Sequence, residues 1–146
     1  MATVLAVNIS EKKGVPKQTI PQGRFIEDFG LEGDAHAGPW HRQVSLLGQE
    51  SIDRMKELGI KGLCTGRFAE NLTTEGIELY SLPIGARLEV GPVLLEITQI
   101  GKECHQKCAI YHLVGDCVMP KEGVFARVIR GGLVRAGDTI KVQGTE

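Results

Sequence analysis

The chain has 146 residues, 42% of them apolar, and a formal net charge of −1 at pH 7. This length suits one domain spanning residues 1–146, and the apolar fraction suffices for an ordinary core without a stabilising disulfide or metal. A nucleic-acid-binding surface is not expected, because the chain has no long run of lysine and arginine and only 5% aromatic residues.

Short apolar segments between glycines and prolines predict a chain built mainly from β-strands. The segment 87–90 alternates charged and apolar residues, as a strand with one buried face does. Gly91 and Pro92 then predict a tight turn into the next strand. In chain order, strands are predicted at residues 4–9, 43–47, 87–90, 93–98, 124–129 and 138–142.

One helix is predicted, at residues 49–58. Its apolar residues Ile52, Met55 and Leu58 recur at helical spacing, and Gly59 is placed to end it. Many short strands and a single convincing helix predict a mainly β fold, a β-barrel with a few short helices.

The N-terminus lacks the features of a secretory peptide, and no apolar run is long enough to span a membrane. We therefore expect a cytoplasmic protein with no membrane partner. In that compartment the four cysteines are expected to be thiols or metal ligands.

Three of these cysteines, Cys104, Cys108 and Cys117, lie close together in a polar segment. Three interpretations remain open: buried apolar thiols, a structural zinc site and a reactive thiolate or single-metal ligand. The spacing is irregular for zinc. Cations beside a thiol lower its pKa by stabilising the thiolate, and this segment supplies them. They are Lys102, His105 and Lys107.

A second polar segment contains His36, His41 and Arg42 within a glycine-bounded loop. Such a loop either is solvated surface or directs several donors towards one anion. Trp40 favours local order in this loop. On composition alone, the segment is a candidate anion site.

Two further groups of residues are candidates for ligand contacts. Arg127 stands between apolar residues of a predicted strand, so it must reach solvent or meet an anion. Asn71, Thr73 and Thr74 offer neutral hydrogen-bonding groups, although such residues are also common in turns.

These segments together resemble a stand-alone MOSC domain, the domain named after the C-terminal part of molybdenum cofactor sulfurase. The similarity extends from about residue 4 to residue 142. It rests on an ordered set of motifs: GDAHAG at 33–38, HRQVSLL at 41–47, ENLTT at 70–74, LPIG at 82–85, GKECH at 101–105 with Cys108, and FARV at 125–128.

The resemblance implies a closed barrel of the pyruvate-kinase β-barrel type that binds the molybdenum cofactor or handles sulfur for it. The family cysteine, a sulfur carrier or a molybdenum ligand, is assigned to Cys108, with Cys104 and then Cys117 as alternatives. The resemblance also implies contacts to the molybdopterin, made by a larger set of residues. They are His36, His41, Arg42, Asn71, Thr73, Lys102, His105 and Arg127.

The leading functional hypothesis is thus a domain that binds molybdopterin or carries a cysteine persulfide for molybdoenzyme maturation. Its expected partners are a cysteine desulfurase, a molybdoenzyme or an electron donor. Because the chain has no room for the pyridoxal-phosphate desulfurase domain of the sulfurases, pyridoxal phosphate is not expected. Whether the chain is an enzyme stays open, and two alternatives remain: a molybdenum-dependent reductase of N-hydroxylated compounds and a zinc-stabilised, non-enzymatic interaction barrel.

Overall fold

The computed structural model describes residues 2–10, 18–35, 37–40, 43–56, 70–100 and 123–143. Within these ranges lie eleven strands, one α-helix and a single 3₁₀ turn at Leu79–Ser81. None of the described helices has the length and apolar character needed to cross a membrane. The elements are β1 (Ala2–Ile9), β2 (Gln18–Ile20), β3 (Gln22–Ile26), β4 (Gly30–Leu31), β5 (Val44–Gly48), α1 (Gln49–Lys56), β6 (Leu72–Glu75), β7 (Arg87–Val90), β8 (Val93–Ile100), β9 (Val124–Arg130), β10 (Gly132–Arg135) and β11 (Thr139–Gln143).

Seven of the strands close into a barrel. Their order is β1, β6, β5, β9, β8, β7 and β11, and pairing between β11 and β1 completes the ring. Neighbouring strands are antiparallel except for β5 and β6, which are parallel. Closure gives each strand of the ring a partner on both sides. The predicted mainly β, closed-barrel fold is confirmed.

The strands of the barrel send alternate side chains into its core. In β9, Val124, Ala126 and Val128 are buried in the main apolar cluster, whereas Arg127 is exposed on the outer face. In β8, Val93, Leu95 and Ile97 belong to the same cluster, and Glu96 between them does not. The outer face of β8 and β9 therefore carries the polar residues of both strands.

A small second sheet packs against the barrel. Its strands are ordered β10, β3 and β4, and Phe25, Leu31 and Val134 extend the same apolar core. The fit is close, because a Cβ on Gly131 would lie 2.6 Å from the carbonyl oxygen of Phe25. The turn between β3 and β4 consequently reaches the outer face of the barrel near β9.

All six predicted strands are present, and each observed boundary lies within two residues of its prediction. The predicted hairpin is confirmed: Val90 pairs with Val93, and Gly91 at the turn has a φ of 54°. Helix α1 begins at Gln49 as predicted, and Ile52 is buried. Met55 and Leu58, the other apolar residues predicted on that helix, lie outside the described side chains.

Five strands were not predicted from the sequence. Four of them, β2, β4, β6 and β10, have four residues or fewer. The fifth, β3, contains Gly23 and Arg24, which lower its apparent strand preference. Gly23 is nevertheless required there, since a Cβ would lie 2.6 Å from a side-chain methyl of Leu31.

Candidate functional site

An open cleft of about 450 Å³ lies on the outer face of β8 and β9. Its volume is within the range of pockets that bind small ligands and cofactors. One wall comes from the barrel, and the others come from the β3–β4 turn, the segment before β5 and the turn before β7. We call it the β8–β9 cleft; its lining residues are Asp28, Pro39, Trp40, Ile84, Gly85, Glu96, Ile97, Thr98 and Arg127.

Arg127 is the basic side chain among the described residues of the cleft. Its Nη2 lies 2.9 Å from Oε1 of Glu96, its cross-strand neighbour on β8. The second oxygen of Glu96 lies 3.3 Å from Nε of Arg87 on β7. The strand register thus produces a row of two arginines around one carboxylate, and Arg127 meets both an anion and solvent.

Asp28 is held at the cleft by two neighbouring segments. Its backbone N–H donates to the carbonyl of Val128 (2.9 Å), and its Oδ1 accepts from Nε2 of Gln43 (3.0 Å). Gln43 is buried and also accepts from the backbone N–H of Val128 (2.9 Å). Pairing between β9 and β5 ends at Ala126. Asp28 and Gln43 therefore supply the hydrogen-bond partners of the Val128 carbonyl and N–H, which lie beyond that point.

The Asp28 backbone is left-handed, with a φ of 52°, and no other non-glycine residue in the described ranges has a positive φ. This conformation is uncommon outside glycine, although aspartate and asparagine tolerate it best. Backbone strain of this kind persists where surrounding contacts enforce it, and it is frequent at functional sites. The contacts of Asp28 with Gln43 and Val128 provide that enforcement.

Trp40 is the only tryptophan of the chain and lines the cleft with 39% of its surface exposed. Its segment is tied to the β3–β4 turn because the Gly38 N–H donates to the carbonyl of Phe29 (2.7 Å). The predicted ligand residues His41 and Arg42 follow Trp40 directly and precede Gln43, the partner of Asp28. They themselves lie outside the described residues, as does His36.

The predicted reactive cysteines belong to the connection between β8 and β9. Ile100, the last residue of β8, pairs with Val124, the first residue of β9. The connection therefore leaves and rejoins the sheet at adjacent positions, two residues beyond the cleft residue Thr98. The cysteines and cations predicted there lie outside the described ranges, and their roles stay predictions. They are Lys102, Cys104, His105, Lys107, Cys108 and Cys117.

Asn71 and Thr73 are fully buried in a polar cluster between β1, β5 and β6. Oδ1 of Asn71 accepts from the Ser45 N–H (3.0 Å), and its Nδ2 donates to the Asn8 carbonyl (3.3 Å). The Thr73 hydroxyl donates to Glu70 (2.7 Å) and accepts from Asn8 (3.0 Å). These contacts join three strands, and neither residue lines the β8–β9 cleft. Their predicted contact with a cofactor stays a prediction.

Asp34 belongs to the second predicted motif and is buried. Its Oδ1 accepts from the backbone N–H of Ser10 at the end of β1 (3.1 Å), and the Ala35 N–H donates to the Ser10 carbonyl (2.8 Å). Its carboxylate thereby fixes the start of the loop that leads to Trp40. This explains why an aspartate stands among the cationic residues of that motif.

Sequence reasoning missed Asp28, Glu96 and Thr98 as residues of the site. Glu96 becomes recognisable only through the register that places it opposite Arg127. The one weak sequence signal for Asp28 was its position two residues before Gly30, which is typical of a turn. Its approach to β9 depends on tertiary packing.

The described part of the cleft fits a pterin better than it fits a phosphate. It combines an aromatic surface, one guanidinium and two carboxylates, Asp28 and Glu96, so its cationic charge is offset. A phosphate is held best by several cationic or N–H donors. His41 and Arg42 follow the cleft residue Trp40 directly in sequence, Lys102 lies four residues after Thr98, and all three are candidates to supply that charge.

The described residues contain no cluster of three or more histidine, cysteine, aspartate or glutamate side chains suited to a metal. The cysteines and histidines of the predicted zinc site are not among them. Zinc as an alternative ligand therefore stays a prediction.

Comparison with known proteins gives a consistent result. Residues 32–141 match the sequence model of the MOSC domain. The YuaD protein from Bacillus subtilis has a similar structure, with a TM-score of 0.80 and 20% sequence identity over 97% of this chain and 96% of that chain. YiiM from Geobacillus stearothermophilus has a TM-score of 0.76 and 18% identity, over 99% of this chain and 76% of that one.

YiiM from Escherichia coli is also similar, with a TM-score of 0.68 and 17% identity, over 99% of this chain and 71% of that chain. No curated protein matches this sequence. At these identities the three structures establish a common fold.

Proposed function

Because the chain belongs to the MOSC domain family, which is associated with the molybdenum cofactor, we propose that it binds a molybdopterin-type cofactor in the β8–β9 cleft. We also propose that residues 1–146 act as one such domain. The coarse assignment to molybdenum cofactor biology follows from the family. The location, the ligand contacts and the role of the cysteines are parts of the proposal.

One observation carries the proposal: Arg127 and Trp40 line the same cleft. Arg127 belongs to the FARV motif at 125–128, whereas Trp40 lies far from it in sequence, between the GDAHAG and HRQVSLL motifs. A further motif, which contains Lys102, begins three residues after the cleft residue Thr98. These positions support one cofactor site at the β8–β9 cleft.

In this proposal, the anionic parts of the cofactor are held by six basic residues: Arg127, His36, His41, Arg42, Lys102 and His105. Arginine forms two parallel hydrogen bonds to a phosphate, and lysine adds a point charge. Glu96 keeps the Arg127 guanidinium on the outer face of the sheet. Asn71 and Thr73 contribute by fixing β6 against β1 and β5.

Cys108 is the proposed family cysteine, with Cys104 and Cys117 as alternatives. A cysteine thiolate is a soft ligand that suits molybdenum, and bound molybdopterin supplies the dithiolene that carries this metal. The connection between β8 and β9 holds all three cysteines and starts beside the cleft. This start beside the cleft is the support for proposing that a cysteine of the connection meets a ligand there.

The same thiolate supports sulfur transfer. It would attack the outer sulfur of a donor protein's persulfide, forming a new sulfur–sulfur bond while the donor cysteine leaves as a thiolate. No external oxidant is needed, because the sulfane sulfur moves together with its bond. Lys102, His105 and Lys107 would stabilise the anion on Cys108. A cysteine desulfurase is the proposed donor and a molybdoenzyme the proposed acceptor.

The metal and pterin content of the purified protein tests this function. The protein would be made in a host with intact molybdenum cofactor synthesis, and molybdenum, zinc and oxidised pterin would be measured per chain. Molybdenum and pterin in near-equal amounts are expected. Zinc without pterin would contradict the proposal and favour the zinc-stabilised barrel.

A further inference from the structure

The described half of the β8–β9 cleft has a chemical character that the binding of an anion does not explain. It presents two carboxylates, and only one of them has a cationic partner among the described residues. Glu96 pairs with Arg127 and Arg87, whereas the Asp28 carboxylate contacts only the neutral amide of Gln43 there. An acidic group in this position repels a phosphate.

Asp28 is also prepared to accept hydrogen bonds. Oδ1 accepts from Gln43, whereas Oδ2 has no donor in the part of the chain that the structure describes. A carboxylate oxygen can accept two hydrogen bonds, so this group retains much of its acceptor capacity. The left-handed backbone and the bond from Asp28 N–H to Val128 fix the main chain, and the bond from Gln43 orients this exposed carboxylate.

An aromatic wall accompanies this acceptor. Trp40 lines the same cleft with part of its surface exposed, and the exposed side chain of Ile84 adds apolar surface to the cleft. A flat heterocycle binds favourably by stacking on an aromatic side chain. An aromatic surface next to a fixed acceptor selects a planar ring with N–H donors on its edge.

We propose that Asp28 and Trp40 form the subsite for the aminopyrimidinone ring of the pterin, with the N–H edge of the ring against the carboxylate and its face on the indole. This inference rests on the proposed function and assigns the orientation of the ligand. The ring amide and the exocyclic amine are adjacent donors that match a carboxylate. The phosphate then lies on the side of the cleft away from Asp28.

Asp28→Asn is the informative substitution. Asparagine also adopts a left-handed backbone, and its amide oxygen can still accept from Gln43. The nitrogen that replaces Oδ2 is a donor, so it opposes the N–H edge of the ring. Glu27→Gln is the matched control: it removes the same charge from the adjacent exposed residue, which does not line the cleft.

The test is calorimetric titration of the full chain, free of cofactor, with 6-hydroxymethylpterin. This probe has the ring but neither phosphate nor dithiolene. We expect wild type and Glu27→Gln to bind it with equal affinity and Asp28→Asn to bind at least about tenfold more weakly, the usual effect of losing a hydrogen bond to a charged group. Circular dichroism of each variant confirms that the barrel is intact.

Two results would overturn the inference: wild-type protein that does not bind 6-hydroxymethylpterin, or Asp28→Asn protein that binds it as tightly as wild type. The proposed function is judged separately, by the molybdenum and pterin content of the purified chain. If the purified protein contains the cofactor but Asp28→Asn binds 6-hydroxymethylpterin as tightly as wild type, the proposed function stands and the proposed orientation of the ring is wrong. If pterin binding depends on Asp28 but the purified protein contains no molybdenum, the proposed subsite stands and the proposed function is wrong.

Discussion

Arg127 and Glu96 form a cross-strand ion pair on the outer face of the barrel, with Arg127 Nη2 2.9 Å from Glu96 Oε1. Arg87 contacts the other carboxylate oxygen from the opposite side. The two arginine side chains are equally exposed, at 46%, so each pair adds less than about 1 kcal/mol to stability. The pair positions Arg127 in the cleft without being needed for folding.

Arg127→Ala is therefore expected to separate binding from stability. The variant should lose at least about tenfold in affinity for molybdopterin, because a charge-assisted hydrogen bond is removed. Its free energy of unfolding in urea should change by less than about 1 kcal/mol. Arg87→Ala is the matched control, since it removes the other partner of Glu96 outside the cleft. Equal pterin content in the two variants would contradict a ligand role for Arg127.

Thr73→Val is expected to destabilise the protein by about 2 kcal/mol. The substitution preserves the shape of the side chain but removes one buried donor to Glu70 and one buried acceptor for Asn8. Thr139→Val at the exposed first residue of β11 is the control, with an expected change within about 0.5 kcal/mol. Urea unfolding measures both. A stable Thr73→Val protein that loses pterin would instead support direct contact between Thr73 and the cofactor.

Gly30→Ala is expected to cost more than about 2 kcal/mol. Gly30 has a φ of 120°, and a Cβ there would lie 2.5 Å from the backbone oxygen of Gln43. Gly137 has a φ of 97° with open space around it, so Gly137→Ala should cost only about 1 kcal/mol. Thermal unfolding distinguishes the two costs. Equal destabilisation by Gly30→Ala and Gly137→Ala would show that the close approach to Gln43 adds nothing to the cost of the Gly30 substitution.

Separate Cys→Ser substitutions at Cys104, Cys108 and Cys117 test the sulfur-carrier role. After incubation with a cysteine desulfurase and cysteine, mass spectrometry should find the persulfide on wild-type protein and lose it in Cys108→Ser alone. Loss in Cys104→Ser or Cys117→Ser alone would transfer the role to that residue. Persulfide formation in all three variants would contradict a single carrier cysteine.

The barrel was predictable because its longer strands carry local patterns. Residues 87–90 alternate between charged and buried side chains, and Gly91 permits the positive φ of the following turn. Strands such as β4 and β6 are too short for a periodic pattern. Strand β4 forms because a tight turn pairs Gly30 with Ile26 of β3, and β6 forms because Leu72 pairs with Leu46 of β5 and Val7 of β1.

The candidate site was only partly predictable. Arg127 was identifiable as a charge between apolar residues of a strand, but its pairing with Glu96 depends on a register that shifts within β8 and β9. Asp28 became part of the site through contacts with Gln43 and Val128, which are 15 and 100 residues away in the chain. No local pattern encodes those contacts.

The most direct measurement uses the single tryptophan, because Trp40 lines the proposed cofactor site. Molybdopterin would be titrated into cofactor-free protein while the tryptophan fluorescence is recorded, with bound pterin quantified in parallel. The account predicts saturable quenching that reaches its limit at one molybdopterin per chain. Stoichiometric binding without a change in Trp40 fluorescence would place the cofactor elsewhere, and absence of binding would contradict the proposed function itself.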